Sequence, residues 1–166
     1  MEQETLVYPL ANNTVLQDKY TILNVLNAGG FGITYLALDN PHSRYVVIKE
    51  CMPDAYAFRD METGFVHPRD EQAAVNFAQS ISNSRQEASV LAQLNHPGIV
   101  QVFDMFDANG TCYYVMENIQ GQTLFEYGAE TPTRQVVRDI WAKIISSPSR
   151  TPLGIGGFKP TIQAHR

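Results

Sequence analysis

The chain has 166 residues, 44% of them hydrophobic and 17% charged, so it can bury one core of ordinary domain size and is neither a disordered tail nor a coiled coil. Its net charge of −5 excludes the basic footprint of a nucleic-acid binder. Two cysteines do not make a disulfide framework, and neither a run of about 18 apolar residues nor a basic leader is present, so no membrane contact and a reducing, cytoplasmic setting are expected.

Charge divides the chain. Residues 1–128 hold 6 Lys and Arg against 15 Asp and Glu, whereas residues 129–166 hold 6 against 2 and four of the nine prolines. This shift predicts an N-terminal extension over 1–14, a lobe over 15–128 and a basic, proline-containing tail over 129–166. One short helix is expected in that tail, from Thr133 to Ile145, where Val136, Val137, Ile140, Trp141 and Ile144 recur.

In chain order, Tyr20–Leu26 is β-branched and apolar and reads as a strand ending in a glycine cluster, Asn27-Ala28-Gly29-Gly30-Phe31-Gly32. Ile33–Leu38 is a second strand, closed by the turn signal Asp39-Asn40-Pro41. Tyr45–Cys51 is a third, and short turns between the three predict an antiparallel meander. A loop over Met52–Arg69 follows. The period then changes: Asp70–Leu94 lacks Gly and Pro, and Ala73, Phe77, Ile81, Ala88, Leu91 and Leu94 recur at helical spacing. His96-Pro97-Gly98 ends that helix. Two further strands, Ile99–Phe106 and Thr111–Glu117, flank an Asn109-Gly110 hairpin signal. The expected fold is α+β, a five-stranded antiparallel sheet with one long helix.

The glycine cluster carries the chemistry. Without Cβ atoms, a strand–turn–strand lets backbone N–H groups approach phosphate oxygens, although alone it fits an ordinary tight hairpin equally well. Lys49 ends the apolar run Val46-Val47-Ile48, and a half-buried lysine needs a carboxylate or a phosphate. Glu87 stands on the helix that also carries Leu91 and Leu94. Taken singly, Lys49 fits a snorkelling edge lysine and Glu87 a solvated helix face.

In this order the features resemble the amino-terminal lobe of eukaryotic-like protein kinases. Gly29-Gly30-Phe31-Gly32-Ile33-Thr34-Tyr35-Leu36-Ala37 is similar to the glycine-rich loop of bacterial serine/threonine kinases, as is Ile48-Lys49-Glu50-Cys51-Met52-Pro53 with Arg59 after it. His96-Pro97-Gly98-Ile99-Val100 resembles the segment after the kinase αC helix, and Tyr114-Val115-Met116-Glu117-Asn118 the strand entering the hinge.

The resemblance implies ATP as ligand. Asn27, Ala28, Gly29, Gly30 and Gly32 would cover its phosphates, and Lys49 would contact them while held by Glu87. Thr34 would belong to the same site, Val47 would lie against the base, Met116 would be the gatekeeper, and the backbone of Glu117 and Ile119 would meet the adenine edge. Leu91 and Val102 would stack in the column supporting the helix. Two positions differ from the family pattern: Asn27 replaces the first glycine, and Val47 replaces an alanine and would crowd the base.

These 166 residues contain neither H-R-D-x-x-x-x-N nor D-F-G. Val137-Arg138-Asp139 imitates the first but has Ile144 where its Asn should stand, and Gly157-Phe158-Lys159 imitates the second with Gly156 in place of Asp. No catalytic residue and no metal ligand is therefore expected in this chain, and Mg²⁺ would bind only with a second lobe supplied. The expected role is the ATP-binding lobe of a serine/threonine kinase, inactive as it stands. The alternative is a non-catalytic, kinase-like module that binds a protein partner. In either case Ile33, Val47, Met116 and Leu124 are expected to line the edge that faces the missing lobe or that partner.

Overall fold

Alternation along Gly32–Asp39 and Arg44–Cys51 sorts the side chains at the centre of the sheet onto two faces. The computed structural model describes residues 8–96, 98–123 and 161–162. Two compact units divide the chain, 1–118 and 119–166. The expected tail helix, Trp141, Leu124 and the Asp139 and Phe158 segments lie outside the described residues.

The first unit runs β1 (Val15–Leu16), β2 (Tyr20–Gly29), β3 (Gly32–Asp39), β4 (Arg44–Cys51), β5 (Ala57–Arg59), β6 (Val66–Pro68), α1 (Glu71–Ala92), β7 (Val102–Ala108) and β8 (Thr111–Glu117). Its main sheet has the order β1-β2-β3-β4-β8-β7, antiparallel at every step. The five expected strands are present, and the two-residue β1 adds a sixth. In the second unit, β9 (Gln122–Thr123) pairs antiparallel with β10 (Thr161–Ile162).

One face of the sheet makes the core. Ile22, Ile33, Tyr35, Ala37, Val46, Ile48, Tyr113 and Val115 are buried there. Leu10 and Leu16 close it from the N-terminal side, Met52, Ala57 and Val66 from the β5–β6 hairpin, and Phe77 from α1. Ile33 therefore does not line an open edge as the sequence suggested. It pairs with Glu50 and is fully buried, while its neighbour Thr34 shares the face of Lys49. The strand's phase decides this, because a slip of one residue exchanges the faces.

The segment read as a plain loop contains the β5–β6 hairpin, whose three-residue strands are too short for a periodic signal. It also delivers Arg59 to the core. Asp70 caps α1, its side chain accepting the Ala73 N–H at 2.7 Å. Asn109 and Gly110 both adopt positive φ in the β7–β8 turn, as the Asn-Gly signal predicts. Among the described residues no helix is long and apolar enough to cross a membrane.

Of the four buried phenols, Tyr35, Tyr113 and Tyr114 give the lobe an alkaline limit. Burial first, then the Glu50 carboxylate, pushes Tyr35 and Tyr113 far above the usual tyrosine range, and burial with Glu87 does the same for Tyr114. A group whose pKa is raised by folding stabilises fully below its unfolded pKa of about 10, and that contribution is lost as pH climbs past it. In a spectrophotometric titration these three of the eight tyrosines should therefore ionise only together with unfolding. A single population titrating near pH 10 with the fold intact would contradict the burial argument.

Candidate functional site

Opposite the core face, cross-strand register lines up the residues singled out in the sequence. Thr34, Lys49 and Tyr114 form one row across β3, β4 and β8, and Leu36, Val47 and Met116 form the next. Asn27 pairs with Thr34 at the end of the first row. Directly opposed residues share a face, so Lys49, Val47, Thr34 and Met116 belong to one surface. All four are half-buried.

Lys49 Nζ lies 3.6 Å from Glu87 Oε2 of α1. The Tyr114 hydroxyl donates to Glu87 Oε1 at 3.3 Å, and the Lys49 ammonium lies 5.5 Å from the centre of the Tyr114 ring. Lys49 thus has a carboxylate, an aromatic face and an open side at once. Its side chain keeps 30% of its surface exposed, enough for a second anion to reach it.

The glycine turn is tight. Gly29 pairs with Gly32, leaving Gly30 and Phe31 as the two-residue loop, and Phe31 is 89% exposed. The glycines differ in what requires them. A Cβ on Gly32, at φ +149°, would come within 2.1 Å of the Glu50 carbonyl oxygen, so the approach of β3 to β4 forbids any other residue there. A Cβ on Gly29 would meet nothing within 4 Å. Packing explains Gly32; it does not explain Gly29. Beside Gly30, the Asp54 carboxylate lies 3.5 Å from where a Cβ would stand, a negative charge next to the turn. Asn27 adopts no positive φ and pairs with Thr34 just after a shift in the β2–β3 register.

Glu117 is exposed, and its N–H donates to the Gln101 carbonyl at 2.9 Å. Ile119 belongs to the second unit. Ala28 is exposed and pairs with Ile33. Leu91, in the last turn of α1, and Val102, opposite Met116, are both half-buried.

Sequence reading missed a second cluster on the core face. Glu50 is fully buried and accepts Arg59 Nη2 at 2.6 Å, the Tyr35 hydroxyl at 2.7 Å and the Tyr113 hydroxyl. Arg59 also donates Nε to the Tyr8 carbonyl at 2.9 Å and Nη1 to the Gly64 carbonyl at 2.7 Å. The Leu10 N–H donates to the Tyr35 hydroxyl. This cluster ties the N-terminal segment and the β5–β6 hairpin to the strand that carries Lys49. The available signal was Glu50, in phase with buried Val46 and Ile48.

No family model matches the chain. It is 30% identical over 118 residues to the probable serine/threonine-protein kinase YbdM of Bacillus subtilis, covering 71% of this chain and 39% of that protein. It is 33% identical over 112 residues to PrkC of the same organism, covering 68% and 14%. The chain thus spans well under half the length of these relatives. Among solved structures, the apo form of PpkA-294 superposes with a TM-score of 0.71 at 31% identity, over 76% of this chain and 44% of that one. The Mycobacterium tuberculosis PknI kinase domain shares the fold at a TM-score of 0.52 and 21% identity, over 76% and 43%. On sequence and fold together, the chain is a member of the serine/threonine protein-kinase family and carries that family's amino-terminal lobe.

Proposed function

We propose that the lobe binds ATP or ADP on the face formed by Thr34, Val47, Lys49 and Met116, beneath the Asn27–Gly32 turn, with Glu117 offering a backbone group to the base. The observation that carries this reading is the Lys49–Glu87 pair, 3.6 Å apart and open on one side, together with a Gly29 that nothing in the protein's own packing requires. The residues fit a polyphosphate: two glycines leave backbone N–H groups approachable, and Lys49 supplies a point charge. Asp54 beside Gly30 opposes them, which favours weak binding. When bound, ATP supplies the transferable phosphoryl group. This chain's residues orient the nucleotide, and phosphoryl transfer to Ser or Thr needs H-R-D and D-F-G elements that these 166 residues do not contain. We therefore propose a lobe over 15–128 that is inactive without a complementing lobe, which would also supply the Mg²⁺ ligands.

The test is nucleotide titration of the purified chain with and without Mg²⁺. Weak binding with little gain from Mg²⁺ is expected. Lys49→Met should weaken it about tenfold or more, the scale of one charge-assisted contact, while the urea midpoint stays near the parent's. Tight, Mg²⁺-dependent binding that survives Lys49→Met would refute the assignment.

A further inference from the structure

The chain has two cysteines, and the fold brings them together. Cys51 is the last residue of β4, and Cys112 is the second of β8. Glu50 pairs with Tyr113 in antiparallel register, so the next step along each strand sets Cys51 opposite Cys112. Directly opposed antiparallel residues have Cα atoms about 4.5–5.5 Å apart, inside the range of about 4.4–6.8 Å that a disulfide spans. Both thiols are free, and both side chains are buried, 3% and 2% exposed. They face α1: the Cys112 Sγ lies 3.7 Å from the Ile81 carbonyl oxygen.

We propose that Cys51 and Cys112 are a reversible redox pair, which a peroxide converts to a cross-strand disulfide beneath α1. The two thiols have unequal roles. The Cys112 thiol, the Ser84 and Thr111 side chains and the nearby Lys49 charge outweigh burial and bring the Cys51 thiol down to about 7. Its hydrogen bond to Cys51 and its burial push Cys112 up. Cys51 is therefore the attacking sulfur and Cys112 the resolving one. The Cys51 thiolate attacks one peroxide oxygen, the O–O bond breaks, and Cys51 sulfenic acid and hydroxide form. The Cys112 sulfur then attacks the sulfenic sulfur, the S–O bond breaks, and the departing hydroxide leaves as water with the Cys112 proton. Two thiols and one hydrogen peroxide give one disulfide and two waters. Burial at this depth admits a small uncharged oxidant and excludes a bulky disulfide such as oxidised glutathione.

The location gives the bond a consequence. Lys49 and Tyr114 lie two residues from the thiols on the same strand faces, and Ile81 and Ser84 precede Glu87 on α1. Oxidation draws the Cys112 sulfur, 3.7 Å from the Ile81 carbonyl oxygen, into a bond with Cys51 and so alters the seat of the helix that holds Glu87 against Lys49. This last step rests on the nucleotide reading above.

The test uses the full chain with slight excess of hydrogen peroxide, followed by alkylation in denaturant, intact mass and a non-reducing gel. The expected product is a monomer lighter by two hydrogen atoms, resistant to alkylation and restored by dithiothreitol. Cys51→Ser should abolish it and leave Cys112 alkylated, whereas Cys112→Ser should stop at a sulfenic acid that dimedone captures. Two alkylated thiols, added oxygen without loss of hydrogen, or disulfide-linked dimers would each overturn the proposal. Nucleotide affinity is then compared between the two states, with a severalfold fall on oxidation expected and none in Cys51→Ser. Disulfide formation with equal affinity in both states would refute the coupling to α1. Disulfide formation with no nucleotide bound in either state would instead refute the nucleotide assignment and leave the redox pair standing.

Discussion

Arg59→Ala should unfold the lobe or leave it near its stability limit, with a loss of roughly 3–5 kcal/mol, the scale on which removal of one partner strands a buried charge. Whole domains of this size are stable by only about 5–15 kcal/mol, so the loss is a large fraction of the total. Glu50 is fully buried and Arg59 nearly so. Without the guanidinium the Glu50 carboxylate keeps only the two phenol hydroxyls of Tyr35 and Tyr113. The Tyr8 and Gly64 carbonyls also lose their donor, which frees the N-terminal segment and the β5–β6 hairpin together. The double variant Glu50→Gln with Arg59→Met removes both charges while leaving an amide oxygen for the phenols. It should therefore lose less than Arg59→Ala alone. Urea midpoints measure both. An Arg59→Ala midpoint within about 1 kcal/mol of the parent would mean that water reaches Glu50 and that the pair is not a buried one.

That cluster marks the limit of what the linear sequence could disclose. The strands of the meander announce themselves by β-branched alternation, α1 by its unbroken helical period, and the β7–β8 turn by Asn109-Gly110. Lys49 and Glu87 were legible because a recurrent order of motifs ties them together across 38 residues. Glu50 and Arg59 stand in that order too, but nothing in it pairs them with each other or with Tyr35 and Tyr113. At the end of a strand, Lys49-Glu50 reads as polar punctuation, and only the register of β4 against β8, 63 residues away in sequence, puts Tyr113 over Glu50. Ile33 failed for the related reason that its face depends on where the glycine turn ends. With Gly29 paired to Gly32, Thr34 and not Ile33 falls on the side of Lys49. The Cys51–Cys112 pair lies in that same strand register and could not be read from two isolated cysteines.

The two outer glycines of the turn should separate structure from ligand in a single experiment. Gly32→Ala puts a Cβ 2.1 Å from the Glu50 carbonyl oxygen and 3.3 Å from the Met52 nitrogen, at a φ of +149° that a side chain rarely adopts. Both neighbours are backbone in the best-packed part of the sheet and cannot turn aside. Overpacking and strain each cost about 1–3 kcal/mol, so a loss of roughly 2–5 kcal/mol in urea unfolding is expected. Gly29→Ala meets nothing within 4 Å. Its effect on stability should stay within about 1 kcal/mol and tend to be favourable, since alanine narrows the unfolded ensemble. If the turn covers phosphates, that new methyl group enters the space they need, and nucleotide affinity should fall with the fold untouched. Gly32→Ala would also lose affinity, but only alongside stability. Parental affinity in a fully folded Gly29→Ala variant would remove the glycine turn from the nucleotide site and leave Lys49 alone to hold the phosphates.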